Sequence, residues 1–260
     1  MIPKTIHYCW FGSNPLPPLA IKCINSWKKK CPDYKIIEWN ESNYDISTTP
    51  LYVRQAYEAK KWAFVTDYVR LDVVYQNGGV YLDTDVQIIK KLDRFLKDIA
   101  FFGFQDEAGV ATGLGFGAVK GSLILKDLMK DYEEAEFILK DGTFDDTPCP
   151  SRNLSVFLKY GLKQNGSEQI LDGGTHIYPM EFFCPMDFKT GIVKKTRNTA
   201  TIHWFSASWH DEEERKRIEN RRRNIKKDRM IHLPNRILMN ILGRERYEDL
   251  KELIKEKGTK

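Results

Sequence analysis

The stretch from Trp62 to Asp85 constrains this chain more than any other. Phe64, Tyr68, Leu71 and Tyr75 recur at steps of three and four, which predicts a helix over Trp62–Gln76. Asn77-Gly78-Gly79 stops it, because glycine adopts the left-handed backbone that ends helices at little steric cost. Val80-Tyr81-Leu82 then starts a short apolar strand, and Asp83-Thr84-Asp85 follows directly. Helix, glycine stop and strand are the parts of an α/β unit. In open α/β sheets ligands bind at the carboxyl ends of strands, which is where the two carboxylates fall.

The rest of the chain extends this pattern. Strands are expected at Thr5–Phe11, Tyr34–Trp39, Phe101–Phe104, Leu114–Val119 and Thr199–Trp204. Helices are expected at Leu19–Lys30, Ser122–Lys140 and Leu154–Leu162, with a charged helix after Leu92. Residues 40–50 and 141–153 read as loops, rich in Asp, Ser, Thr and Pro. Short apolar runs alternating with helical patterns imply an α/β domain over residues 1–210.

Composition changes beyond Asp211. Residues 211–260 hold 16 Lys and Arg against 11 Asp and Glu, so the whole net charge of +5 lies there. Nine basic residues fall between Arg215 and Arg229, opposed only by Glu219 and Asp228. Residues 211–260 therefore read as a basic helical extension, with a short apolar helix opened by Pro234. It is either a solvated helix or a dock for an anionic membrane surface. Interspersed acids and the lack of a nucleic-acid motif argue against nucleic acid. Five cysteines without a Cys-x-x-Cys pair argue against a disulfide framework and suit a reducing compartment. No apolar leader or spanning run is present, which predicts a cytoplasmic protein, at most resting on the inner face of the membrane.

The Asp83/Asp85 spacing carries chemistry. Residues two apart on a strand point the same way, and two facing carboxylates repel unless a cation lies between them. Hard oxygen ligands suit Mn²⁺ or Mg²⁺, and such an ion stabilises a departing diphosphate. By itself an Asp-x-Asp is as common as chance, and its position gives it weight. Asp67 and Arg70 share a helix face three residues apart. They are either a surface ion pair or a carboxylate and guanidinium held for a hydroxyl-rich substrate. Gly113, Gly115 and Gly117 mark backbone close to substrate or tight strand packing. His203, near a strand end, is either structural or a third metal ligand whose imidazole completes the carboxylate pair.

Thr66-Asp67-Tyr68-Val69-Arg70-Leu71 followed by Gly78-Gly79-Val80-Tyr81-Leu82-Asp83-Thr84-Asp85 resembles the signature of glycosyltransferases with a DXD-containing sugar-binding region. These include fungal outer-chain mannosyltransferases and bacterial capsular polysaccharide enzymes of glycosyltransferase family 32. Ile2-Pro3-Lys4-Thr5-Ile6-His7-Tyr8-Cys9-Trp10-Phe11-Gly12 resembles the family's first strand. His203-Trp204-Phe205-Ser206-Ala207-Ser208-Trp209 resembles its C-terminal element. The resemblance implies a GT-A fold, a Rossmann-like mixed sheet flanked by helices. It implies transfer of a sugar, with retention, from a nucleotide sugar to a glycan or lipid-linked acceptor in capsular or surface polysaccharide synthesis. UDP is the expected nucleotide.

The resemblance also implies roles. Asp85 binds Mn²⁺ directly, and Asp83 holds ribose and the metal shell. Asp67 and Arg70 grip sugar hydroxyls. Trp10 stacks on the base, with Asn40 and Trp62 near the nucleoside, and Tyr81 contacts the donor. Asn153 touches sugar, Trp209 closes over the diphosphate and Ser208 stands beside it. A metal-dependent nucleotidyltransferase or nucleotide-sugar hydrolase using the same Asp pair is the alternative. It leaves Asp67, Arg70 and Ser208-Trp209 without a task.

Overall fold

A computed structural model describes residues 1–206, 212–231, 241–243, 246 and 248. It divides into one unit of residues 1–187 and 192–210 and a second of residues 188–191 and 211–260. The predicted apolar helix after Pro234 lies largely outside the described residues.

In chain order the first unit contains β1 (Thr5–Cys9), α1 (Pro18–Lys30), β2 (Lys35–Trp39), α2 (Leu51–Glu58), α3 (Trp62–Asn77), β3 (Gly79–Tyr81) and β4 (Val86–Ile88). Then come β5 (Ala100–Gly103), β6 (Phe116–Ala118), α4 (Leu123–Glu133), α5 (Cys149–Lys159), β7 (Gln169–Ile170), β8 (Thr175–Tyr178), α6 (Met180–Phe183) and β9 (Thr201–His203). A seven-stranded sheet runs β2-β1-β3-β6-β5-β8-β7. Strand β1 pairs parallel with β2 and β3, and β5 with β8, while β6 runs antiparallel to β3 and β5. The α/β pattern read from the sequence, and the mixed sheet flanked by helices that the family resemblance implies, are both present. A separate two-stranded ribbon joins β4 to β9, with Val86 opposite His203.

The core forms on α3. Its Phe64, Val65, Val69, Leu71, Val73 and Val74 pack with Tyr52 and Val53 of α2, Phe102 of β5, Phe116 of β6 and Leu125 and Leu128 of α4. Removing this apolar surface from water is the main term holding the sheet and helices together. Gly78 and Gly79 end α3 at φ of +67° and +120°. Directly below the turn His7 is fully buried. Trp39 Nε1 can only donate, so it donates to His7 Nδ1 at 3.0 Å. The other ring nitrogen therefore carries the proton and donates to Gly78 O at 2.9 Å. Strands β1 and β2 thus tie down the turn that leads into β3.

Several elements differ from expectation. Helix α2 is not foreseen by the sequence pattern. The helix expected over 122–140 stops at Glu133, because Phe137 turns inward to pack on Tyr52 and Phe64. Gln55 of α2 accepts from the N–H groups of Phe137 and Ile138 in place of helical carbonyls. After Leu92 there is a single 3₁₀ turn, Asp93–Phe95, in which Phe95 is buried. Helix α5 starts at Cys149, within the expected loop, helped by a proline in its first turn, where the missing N–H costs nothing.

In the second unit, α7 (Glu212–Ile231) is a charged helix with Ile218 as its buried residue among those described. Arg222 donates through Nε and Nη2 to Phe188 O at 3.0 and 2.8 Å. Among the described residues, no helix is long and apolar enough to cross a membrane.

Candidate functional site

Strand β3 ends at Tyr81, so Asp83 and Asp85 lie in the turn between β3 and β4, not on one strand. Strand parity is therefore not what brings them together. Leu82 N donates to His7 O at 3.0 Å, and Val86 N closes the turn on Asp83 O at 2.9 Å. The turn leaves both carboxylates on one side, facing His203 at the end of β9. One ligand atom from each of Asp83, Asp85 and His203 lies within 4.8 Å of the others.

A different part of the fold holds each carboxylate. Asp85 Oδ1 meets His203 Nε2 at 3.1 Å, and its Oδ2 accepts from Ser206 N at 2.7 Å. Trp204 N donates to Asp85 O at 3.1 Å. Phe205 adopts φ of +48°, which swings the chain so that the Ser206 amide reaches Asp85, and its ring packs on His203 at 4.2 Å. Burial opposes ionisation of Asp85, but His203 and Ser206 outweigh it and hold the carboxyl below the usual range. Burial likewise lowers His203, yet Asp85 and Cys184 together raise it to about 10.

Asp83 is held from a different element, by Arg70 of α3. Arg70 Nη2 stands 3.5 Å from Asp83 Oδ1 and 2.9 Å from Asp67 Oδ1. The Arg70 side chain is 5% exposed and that of Asp67 11%, which excludes a surface ion pair. Arg70 also donates through Nε to Thr66 O at 3.0 Å and through Nη1 to Thr112 Oγ1 at 3.4 Å. Its guanidinium lies 5.3 Å over the Tyr81 ring, which stacks on Phe116. A buried cation between two carboxylates is held in place because removing any one partner strands a charge in low dielectric. Burial pushes the Asp67 carboxyl up to about 6, against the pull of Arg70. Burial and the neighbouring Asp85 raise Asp83, while Arg70 draws it down.

The other sequence-predicted residues are spread around this centre. Tyr81 is buried beneath Arg70. Trp62 lies under Gly12, close enough that a Cβ there would sit 2.6 Å from Trp62 Cε2, and it meets Tyr57 edge-on at 5.2 Å. Trp10 is partly exposed, its indole N–H donating to Asn14 O at 2.6 Å. Asn40 Nδ2 donates to Glu38 Oε1 at 2.8 Å, and Asn40 Oδ1 accepts from Ser42 N at 2.9 Å. Asn153 is fully buried, and neither end of its amide has a hydrogen-bond partner. Ser208 and Trp209 lie outside the described residues.

Three contributors are absent from the sequence reading of the site. Thr112 and Cys149 meet Arg70 from β6's approach and from α5, with Thr112 Oγ1 donating to Cys149 Sγ at 3.7 Å. Ser206 supplies a backbone amide, which no side-chain pattern reveals.

The donor set can be tested for an ion. Two carboxylate oxygens and one imidazole nitrogen converge, and Arg70 and Ser206 N fix the carboxylates from behind. The two hard carboxylate oxygens suit Mn²⁺ or Mg²⁺, while the imidazole, which has to give up the proton it shares with Asp85 before it can bind, favours Mn²⁺ of the two.

Residues 17–102 match the family model described as "Glycosyltransferase sugar-binding region containing DXD motif". The match takes in Asp67, Arg70, Asp83 and Asp85 and ends well before His203. Inositol phosphoceramide mannosyltransferase 3 of Schizosaccharomyces pombe is 29% identical over 140 residues, covering 52% of this chain and 38% of the relative. Subversion of eukaryotic traffic protein A of Legionella pneumophila is 24% identical over 111 residues, covering 33% of this chain and 17% of that protein. The chain thus spans well under half the length of these relatives. Among solved structures, PaToxG glycosyltransferase aligns with a TM-score of 0.47 at 18% identity, over 61% of this chain and 69% of that one. A glycosyltransferase involved in glycosylation of the major capsid of PBCV-1 aligns with a TM-score of 0.43 at 14% identity, over 82% and 98%.

Proposed function

From residues 17–102, which carry the sugar-binding region of the DXD-containing glycosyltransferases, we propose that this chain is a metal-dependent glycosyltransferase using a nucleotide-sugar donor. The observation that carries this reading is the meeting of Asp83, Asp85 and His203 in front of the buried Asp67–Arg70 pair. In this reading Asp85 and His203 hold Mn²⁺ or Mg²⁺, and Asp83 faces both the ion and the ribose. The metal, when bound, supplies positive charge to the leaving diphosphate. Arg70 opposes the upward push of burial on the Asp83 carboxyl and aims it, and Asp67 presents an acceptor for donor hydroxyls. Asn153, a buried amide without partners, serves the sugar in the same way: an unsatisfied buried amide is costly unless a ligand or water completes it. Trp10, Asn40 and Trp62 form the nucleoside end. Tyr81 backs Arg70; a role for Ser208 and Trp209 at the diphosphate rests on the family resemblance alone. Together with the mixed sheet, these roles make a GT-A enzyme.

Retention is carried over from the family resemblance, and with no glutamate standing out as a covalent nucleophile among the described residues of the site, same-face substitution is the form of it proposed. UDP-sugars are the first donors to assay, with GDP-mannose beside them because two relatives are named as mannosyltransferases. Their names also specify inositol phosphoceramide, a lipid, which supports a lipid-linked acceptor; surface polysaccharide synthesis at the inner face of a membrane is proposed from the family resemblance alone. The basic α7 region would rest on the anionic headgroups there.

Asp85→Asn tests the reading. The variant keeps the side chain's shape but leaves His203 without its carboxylate partner, so it is expected to fold with a lowered melting temperature and to lose Mn²⁺-dependent stabilisation by nucleotide sugar together with transfer. Full transfer by Asp85→Asn would falsify the metal assignment.

A further inference from the structure

The three alternate glycines from Gly113 to Gly117 have three separate causes. At Gly117 an added Cβ would lie 2.4 Å from Phe101 Cε1, inside the core. At Gly115 the backbone has φ of +110°, where side chains are strained. Gly113 needs neither explanation from the core nor from its backbone, for its φ lies outside the left-handed region. What a Cβ there would meet is the site: Asp83 Oδ2 at 2.6 Å and Arg70 Nη1 at 3.2 Å.

The surroundings leave little give on the protein side. Val110, Ala111, Thr112 and Leu114 are all buried, and Thr112 accepts from Arg70. Asp83 has Arg70 on one oxygen and Gly113 against the other, and its side chain keeps 26% exposure on the open side. A methyl group at 113 therefore presses on Asp83 Oδ2 and on Arg70 Nη1 beside it, and the exposed side of Asp83 is the direction left for that carboxylate to yield.

We propose that Gly113 is a positioning residue. Its missing side chain lets the buried 110–114 segment press Asp83 against Arg70 and so fixes the separation of the two carboxylates that face the metal. The proposal rests on the metal-dependent reading of the site.

The test is Mn²⁺ titration in the presence of UDP, with melting temperature alongside, for wild type, Gly113→Ala, Gly117→Ala, Asp83→Ala and the double variant Asp83→Ala/Gly113→Ala. Gly113→Ala is expected to melt near wild type and lose about tenfold or more in Mn²⁺ affinity, the usual cost of disturbing a group that orients a ligand. Gly117→Ala is expected to melt lower while its folded fraction binds as wild type does. Because Gly113 acts through Asp83, the double variant should bind within about twofold of Asp83→Ala alone, the outcome a coupled pair gives in a double-mutant cycle. Wild-type affinity in Gly113→Ala overturns the proposal, as does an equal further loss on the Asp83→Ala background. If Gly113→Ala fails to fold through the predicted clash, the double variant must fold, and its failure also overturns it. Wild type that binds no Mn²⁺ with UDP overturns the functional reading instead, and the role of Gly113 with it.

Discussion

Asp67 is where stability and chemistry conflict. Its carboxyl is buried beside Arg70, and burial raises it to about 6. Below pH 4 both folded and unfolded states hold the proton, and the group costs nothing. Between pH 4 and 6 the unfolded chain releases its proton while the folded one retains it, so this group lowers stability as pH rises. Asp67→Asn removes that slope. Relative to wild type, the variant should gain about 2 kcal/mol between pH 4 and pH 7, measured by urea denaturation at the two values. Under the proposed function the same variant should lose transfer at both. A difference in stability that stays flat with pH would remove the carboxyl from this account.

At the scale of elements, the turn from α3 into β3 was the most legible part of the chain. Apolar spacing, a glycine stop and an apolar run all act within a few residues, and the structure places α3 and β3 within a residue or two of expectation. Gly79, at φ of +120°, sits with Thr5 O and His7 Nε2 within 2.9 Å of where a Cβ would lie. Gly79→Ala combines a backbone penalty with a clash and should cost about 2 kcal/mol or more in thermal or chemical denaturation, and a neutral result would mean the turn relaxes freely. Less legible were α2, whose eight residues are too short for a clear period, and the β7–β8 hairpin, whose Gln169 and His176 break the apolar alternation. Asp67, Arg70 and the Asp pair could be picked out because they share one local unit. The placement of Cys149, Thr112 and Ser206 at the same site depends on contacts 37 to 121 residues apart, about which local pattern says nothing.

For the whole molecule, charge is the organising fact. Residues 1–210 balance to zero and residues 211–260 hold the entire excess of +5. In α7, acids occupy the first turn and bases dominate the remainder, with Met230 and Ile231 exposed at its end. Bases followed by exposed apolar side chains fit a headgroup layer better than water alone. The full chain should float with phosphatidylserine-containing liposomes at low salt and much less so at high salt, while a chain truncated after residue 210 stays in the aqueous layer. Equal flotation of the two would discard the docking role.

The clamp on Asp85 has a consequence in time as well as in space. A chain emerging from the ribosome completes β1 to β3, with both carboxylates, long before β9 exists. His203 and the Ser206 amide arrive 118 and 121 residues after Asp85. Until then Asp83 has Arg70 beside it, but Asp85 lacks both groups that clamp it. Under the proposed function, the ligand set of Asp83, Asp85 and His203 would come together only once β9 has been synthesised and paired with β4.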